Sequence, residues 1–178
     1  MDILFRKSGF SREPSVASRS DGVRLSIPVF GRLDPIPHDL AHFVVERELD
    51  LQRGFFGSIA DGAIFGGMRV LSGRQPPHAG ERSQMVMKAN HYPILFSEIL
   101  VDRTLRALKG EAVGIQPLPM TLPHIPASTR AEREALIQPL AAKMEEMCER
   151  WQAIPMGESL LVVWPDHPRR RHKETRAH

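Results

Sequence analysis

The stretch PHDLAHFVVE, at residues 37–46, marks the change from strands to helices in this chain. Apolar residues alternate with polar ones before it, and they recur at three- and four-residue spacing after it. Pro37 suits the first turn of a helix, so we expect a helix to begin here and to extend to about residue 50. His38 and His42 are four residues apart, and residues at that spacing lie on one face of a helix. The stretch therefore predicts a helix that points two imidazoles in the same direction.

Three segments of the chain have the pattern of β-strands. Residues 2–6 form a short strand, and residues 15–30 form a hairpin around the turn dipeptide Asp21-Gly22. Pro28 has no N–H group, which predicts that this end of the hairpin lies at a sheet edge. Residues 158–164 form the last strand, and their continuous apolar run predicts a central position in the sheet.

The remaining segments of the chain are helices and connectors. Helical patterns return in three segments, at residues 53–64, 93–109 and 129–152. Residues 66–82 are rich in Gly, Pro and Arg and are interpreted as a loop, after which residues 83–90 resume a helical pattern up to the break expected at Pro93. Thr129 and Glu132 form the capping box that starts the last helix.

This order of elements predicts an α+β fold for residues 1–164. We expect a small antiparallel sheet of about four strands packed against about four helices, in a single domain. The length of 178 residues is sufficient for one such domain with its own core.

The positive charge of the chain lies in a C-terminal tail. Five of the 24 basic and two of the 21 acidic residues fall in residues 165–178, which leaves 19 of each in the rest of the chain. This composition predicts a basic, disordered tail. Its run Arg169-Arg170-Arg171-His172-Lys173 suits weak electrostatic contact with RNA or DNA. Nucleic-acid-binding domains usually carry a basic face on the fold itself, so a nucleic-acid partner is the less favoured hypothesis.

Cysteine content and hydropathy indicate the compartment. Cys148 is the only cysteine, which excludes an intrachain disulfide and fits a reducing cytoplasm. The first residues have no apolar run of signal-peptide length, and no apolar run approaches the roughly 20 residues that span a bilayer. We therefore expect a cytoplasmic protein without a membrane segment.

The two histidines predict a possible metal site. Zinc peptidases use the spacing H-E-x-x-H, in which the glutamate is the general base. Asp39 stands at that position here and is the candidate catalytic residue, although its side chain is one methylene shorter. The ion would be a divalent metal such as zinc, held by His38 and His42.

A third ligand has to come from another part of the chain. Glu46 is eight residues from His38, which is about 12 Å along a straight helix. One ion cannot bind both, so His91 and Glu98 are the candidates for the third ligand, and His78 is a weaker candidate in a loop. Glu46 or Asp39 could instead accept a hydrogen bond from a ligating histidine.

Three function classes remain open. The sequence has no complete catalytic constellation, which favours a non-enzymatic module that binds another protein or its own copy. The first alternative is a metal-binding protein or metal-assisted hydrolase that uses His38 and His42, and the second is a weak nucleic-acid accessory that uses the tail. A structural role is a further interpretation, with Asp39 favoured by the helix dipole and His42 as a buried, hydrogen-bonded histidine. A shared concave pocket would favour chemistry, and a convex surface would favour the module.

Two resemblances involve the same region. PHDLAHFVVEREL, followed by GFFGSIADGAIFGGM, resembles a set of small uncharacterised bacterial proteins that begin with a strand hairpin. The similarity covers residues 15–67 and is weaker in the helix after Pro93, and it implies a fold rather than an activity. The five residues from His38 to His42 are also similar to the H-D-x-x-H metal motif of ubiquinone-biosynthesis proteins. Gly54 stands where that motif has its downstream glutamate.

Overall fold

The computed structural model describes residues 1–8, 13–29, 35–111, 131 and 135–165. The strands are β1 (Asp2–Arg6), β2 (Ser15–Ser18), β3 (Arg24–Ile27), β4 (Arg69–Ser72) and β5 (Ser159–Val163). The helices are α1 (His38–Glu48), α2 (Phe55–Ala60), α3 (Ala79–Ala89), α4 (His91–Leu108) and α5 (Ile137–Ala153). The predicted start of the last helix at Thr129 and Glu132, and nearly all of the basic tail, lie outside the described residues.

The five strands form one antiparallel sheet in the order β4-β3-β2-β1-β5. Alternate residues of each central strand are buried, because side chains on a strand point to opposite faces in turn. Ile3 of β1 pairs with Ala17 of β2 and with Val162 of β5, and all three are buried on the face that packs against the helices. This arrangement confirms the α+β class, with five strands where about four were predicted.

Three details of the predicted sheet are wrong. β4 lies within residues 66–82, which the Gly, Pro and Arg content had marked as a loop. β5 is at the edge of the described sheet, and Leu161 is 54% exposed, so its apolar run does not reflect burial on both faces. β3 is an inner strand, and Pro28 follows its last residue, so the missing N–H removes no bond from the ladder.

The helices cover one face of the sheet and place the candidate site residues. α1 contacts α2, α4 and α5, and the core between these helices and the sheet includes Trp164, Phe43 and Phe56. α3 and α4 are separated at Asn90, whereas Pro93 lies in the first turn of α4, where a missing N–H costs little. Within the described residues, no helix combines the length and apolar character needed to cross a membrane.

Candidate metal centre

Three of the predicted ligands come together where α1 crosses α4. One potential ligand atom from each of His38, His42 and Glu98 lies within 4.8 Å of the others. Oε2 of Glu98 is 3.3 Å from Nε2 of His42 and 3.5 Å from Nε2 of His38. The two imidazole rings pack edge to face, with their centroids 5.0 Å apart. The four-residue spacing on α1 therefore does direct both histidines to one carboxylate on a neighbouring helix.

The two separations that involve Glu98 suit a zinc ion. Ligand atoms about 2 Å from a tetrahedral zinc ion are about 3.3 Å from one another. The two distances from Glu98 to the histidines lie close to that value. Two histidines and a glutamate are also a ligand set that catalytic zinc sites use.

The inner side of His42 is held by a hydrogen-bond relay. His42 is 2% exposed, and its Nδ1 lies 2.9 Å from the hydroxyl of Ser97 and 3.4 Å from Oε1 of Glu46. The Ser97 hydroxyl donates to Oε1 of Glu46 at 2.6 Å, so it can only accept from His42. Nδ1 therefore carries a proton, and Nε2 is the nitrogen that faces Glu98.

Glu46 is anchored by the beginning of α2. Its carboxylate accepts the backbone N–H of Phe55 at 2.7 Å and that of Phe56 at 2.9 Å. These are unpaired first-turn donors of a helix, where a negative charge is also favoured by the helix dipole. A Cβ atom at Gly54 would overlap the same carboxylate, so glycine before α2 allows the close approach of Glu46. The relay therefore joins α1, α2 and α4 through one fully buried acid.

The charges in this cluster stabilise one another. Burial lowers the pKa of His42, but hydrogen bonds and charge from Glu46 and Glu98 outweigh it and raise that pKa to about 9. The hydrogen bonds from His38 and His42 hold the pKa of Glu98 well below its usual range. Without a metal, a protonated His42 between two carboxylates is thus the favoured state at neutral pH.

The cluster lines one wall of a cavity of about 390 Å³. Asp39, the candidate catalytic residue, lines it as well, and its carboxylate accepts a hydrogen bond from the hydroxyl of Ser15. Burial raises the pKa of Asp39, while the Ser15 hydrogen bond acts in the opposite direction. The other lining residues are Phe55, Phe65, Gly66 and Ile94. The histidines therefore share a concave pocket with two carboxylates.

His91, another candidate for the third ligand, is not in the group. It lies in the first turn of α4, beside Tyr92, in a separate shallow depression. His91 and Glu98 are seven residues apart on the same helix, which separates them by about 10 Å along its axis. Within the described residues, the group of potential ligands consists of His38, His42 and Glu98.

The sequence analysis did not identify Ser97, Gly54 or the aromatic residues of the cavity, Phe55 and Phe65, as parts of the site. A signal for Ser97 was present, because it lies on the same helical stripe as the buried Leu100 and Val101 of α4. A polar residue on an apolar stripe needs a hydrogen-bond partner. No comparable signal identified Gly54 or Phe65, whose roles depend on how α2 docks against α1.

Comparison with known proteins offers no relative from which a role for these residues could be transferred. No protein-family model matches the chain, and neither the curated proteins nor the solved structures contain a match. The resemblance of residues 15–67 to small bacterial proteins and that of residues 38–42 to a metal motif therefore stay predictions.

Proposed function

We propose that this protein binds one divalent metal ion, preferably zinc, through His38, His42 and Glu98. The observation that carries the proposal is the orientation of His42. Its Nδ1 is committed to Ser97 and Glu46, which leaves Nε2 directed toward the carboxylate that also contacts His38. Metal-ligating histidines commonly have this arrangement, in which one ring nitrogen binds the metal and a carboxylate fixes the other.

The number of ligands favours a reactive site over a purely structural one. Structural zinc sites are usually closed by four protein ligands, whereas catalytic sites have three and keep one position open. Here the three candidate ligands border a cavity, to which an open position would face. A zinc ion held by these residues would polarise a carbonyl group or a water molecule, so metal-assisted hydrolysis is the reaction class that the ligand set favours.

Asp39 is the residue that we assign to proton transfer. It lines the same cavity but is not one of the three clustered ligands, and Ser15 holds its carboxylate. A carboxylate beside a metal site can accept a proton from a reacting group. This assignment predicts that Asp39→Asn retains the bound metal.

The competing explanation is an ion-pair network without metal. A protonated His42 between Glu46 and Glu98 accounts for the same short contacts. The two explanations differ in their response to zinc, because a metal ion must displace the proton on Nε2 of His42. Metal binding is therefore the decisive measurement.

The test is zinc titration of the metal-free protein, expressed with an affinity tag that contains no histidine. We expect one equivalent to bind to the wild type. His38→Ala and Glu98→Gln should each weaken binding at least a hundredfold, since each removes one of three ligands. Both side chains are partly exposed, so these variants should fold, whereas His42 is buried and its replacement is less informative.

The surface pair His78 and Glu81 provides a matched control. Its histidine and carboxylate are 3.4 Å apart, and both side chains are more than 70% exposed. His78→Ala and His91→Ala should leave zinc affinity unchanged. A wild type that takes up no zinc would overturn the proposal, as would equal losses in the control variants.

A second candidate function, self-association, is favoured by β5, which has no second partner strand among the described residues. Met1 and Trp164 exchange backbone hydrogen bonds, so even-numbered residues of β5 bond to β1 and odd-numbered ones direct their backbone groups outward. β5 has the uncharged sequence SLLVV, and Leu161 and Val163 are more than half exposed. An uncharged, exposed edge strand is a template for pairing. Antiparallel pairing around Leu161 would join it to the same strand of a second copy.

Light scattering and sedimentation test this candidate. We expect a wild-type dimer, a monomeric Leu161→Lys variant and an unaffected Leu71→Lys variant. Leu71 is 52% exposed and lies on β4, the opposite edge, which carries Arg69. A wild type that remains monomeric at all accessible concentrations would exclude self-association through β5.

A further inference from the structure

The cavity beside the candidate ligands has two chemically different walls. His38, His42 and Glu98 form the first wall. Phe55, Phe65 and Ile94 form the second. Ligand pockets commonly combine a few polar groups that orient a molecule with an apolar surface that holds the rest of it. The second wall therefore indicates what kind of apolar group a ligand would carry.

Aromatic contacts connect the polar wall directly to the apolar one. The ring centroid of Phe55 is 5.4 Å from that of His42 and 5.0 Å from that of Phe65, with the two phenyl rings stacked. Phe55 is nearly buried, whereas Phe65 and Ile94 are half-buried at the cavity. Ile94 is four residues before Glu98 on α4, so both lie on the same helix face. A molecule bound to a metal ion at Nε2 of His42 would therefore reach apolar surface about one aromatic ring away.

The charges of the residues that line the cavity limit the charge that a bound molecule can carry. The ionisable residues that line the cavity are His38, Asp39, His42 and Glu98, and no Lys or Arg is among the described residues that line it. A divalent ion with two neutral imidazoles and two carboxylates gives a site of approximately zero net charge. A phosphate dianion would find no second cation, whereas phosphate sites usually employ Arg, Lys or a helix N-terminus. The lining therefore favours a neutral or singly charged ligand.

We propose that the cavity binds a small acyl compound, in which a carbonyl or carboxylate group joins the metal centre and an adjacent phenyl-sized apolar group packs against Phe65 and Ile94. This inference rests on the metal site proposed above and specifies its substrate class. Amides, esters and their carboxylate products belong to this class, and phosphate esters do not. The apolar group supplies affinity by burial, and the metal supplies orientation.

The test compares two hydroxamates that share one metal-binding group and differ in their apolar group. Protein loaded with cobalt, whose visible absorption reports on its ligands, is titrated with benzohydroxamate and with acetohydroxamate. We expect benzohydroxamate to bind at least tenfold more tightly, because its ring covers the apolar wall. Phe65→Ala should reduce this preference, because it should weaken benzohydroxamate binding more than acetohydroxamate binding. Tyr92→Ala, which removes an exposed aromatic ring outside the cavity, is the control and should alter neither affinity.

The possible failures are distinguishable. Equal affinity for the two hydroxamates, an unaltered preference in Phe65→Ala, or tighter binding of phenyl phosphate would each overturn the substrate class while the cobalt spectrum still demonstrates the metal site. A cobalt spectrum that does not form, or that persists in His38→Ala, would overturn the metal site and this inference together.

Discussion

Glu46 and Glu98 approach His42 from opposite sides and differ in almost every other respect. Glu46 is fully buried and accepts hydrogen bonds from two backbone N–H groups and a serine hydroxyl. The side chain of Glu98 is 49% exposed and contacts the two histidines. The carboxylate of Glu46 is fully hydrogen-bonded within the protein, so its role is to support the fold. The carboxylate of Glu98 contacts two imidazoles beside a cavity, so it can bind a ligand. Stability and metal binding should therefore depend on different glutamates.

Glu46→Ala should produce the largest loss of stability. It leaves the N–H groups of Phe55 and Phe56 and the Ser97 hydroxyl buried without an acceptor, at a cost of about 3–5 kcal/mol in the free energy of unfolding. Glu98→Ala should cost less than about 1 kcal/mol, because its contacts are half exposed. Urea unfolding with a chelator present measures both. Equal losses in the two variants would remove the distinction between the glutamates.

Gly54→Ala tests the same carboxylate through the backbone. The added Cβ would overlap the Glu46 carboxylate, although the φ of −72° at this position suits alanine. Overpacking of this kind costs about 1–3 kcal/mol. Gly80→Ala is the control, since open space surrounds Gly80 on α3, and this variant should be neutral or slightly more stable. Thermal melts that rank the two variants in the reverse order would contradict the close fit.

The pH dependence of the metal-free protein should follow from His42. Its pKa is raised from 6.5 to about 9 in the folded state, so the folded protein binds a proton more tightly than the unfolded chain does. This contribution to stability is complete below the unfolded pKa and is lost as the pH rises from there through about 9. The slope cannot exceed about 1.4 kcal/mol per pH unit for a single group.

Denaturant titrations across this pH range, with and without zinc, measure the effect. Zinc should reverse the trend, because the metal competes with the proton and binds more tightly at high pH. His42→Gln should flatten the profile without metal. A wild-type stability that stays constant over this range would show that His42 carries no extra proton in the fold.

Ser97→Ala should have a moderate effect on stability and a selective effect on metal affinity. Loss of the two buried hydrogen bonds that the Ser97 hydroxyl makes to His42 and Glu46 costs about 1–3 kcal/mol, and loss of a group that orients a metal ligand weakens affinity by about tenfold or more. Ser83→Ala is the matched control, because the Ser83 hydroxyl is also buried and bonds to the backbone of Ile64. It should lower stability to a similar degree and leave zinc affinity unchanged. Equal zinc affinities in the two variants would exclude a positioning role for Ser97.

The spacing of residues within single segments predicted the features that depend on the regular repeat of a helix or a strand. The α+β class, the helix that begins near Pro37 and the common direction of His38 and His42 all follow from spacing within one segment. Glu98 was one of the candidates for a third ligand. His91 and Glu98 are too far apart along one helix to bind the same ion. The sequence analysis applied this distance argument to Glu46 but not to His91 and Glu98.

Features that depend on docking between segments were not predictable in this way. Gly54 has a role only because α2 approaches the Glu46 carboxylate, and Phe65 reaches the cavity only because it stacks on Phe55. β4 was not predicted because it has only four residues and the Gly and Pro residues on either side of it indicated a loop. The edge position of β5 depends on which strands pair, and a continuous apolar run carries no information about that.

The pairing of β1 with β5 has a consequence for how fast the chain folds. Met1 and Trp164 are separated by 163 residues in sequence, whereas His42 and Ser97 in the helical relay are separated by 55. Contacts between distant residues cost more chain entropy and form late, which slows folding. We expect the helical contacts of the pocket to be present in the transition state before β5 joins the sheet. Substitutions in β5, such as Val162→Ala, should then accelerate unfolding more than they slow refolding in stopped-flow measurements.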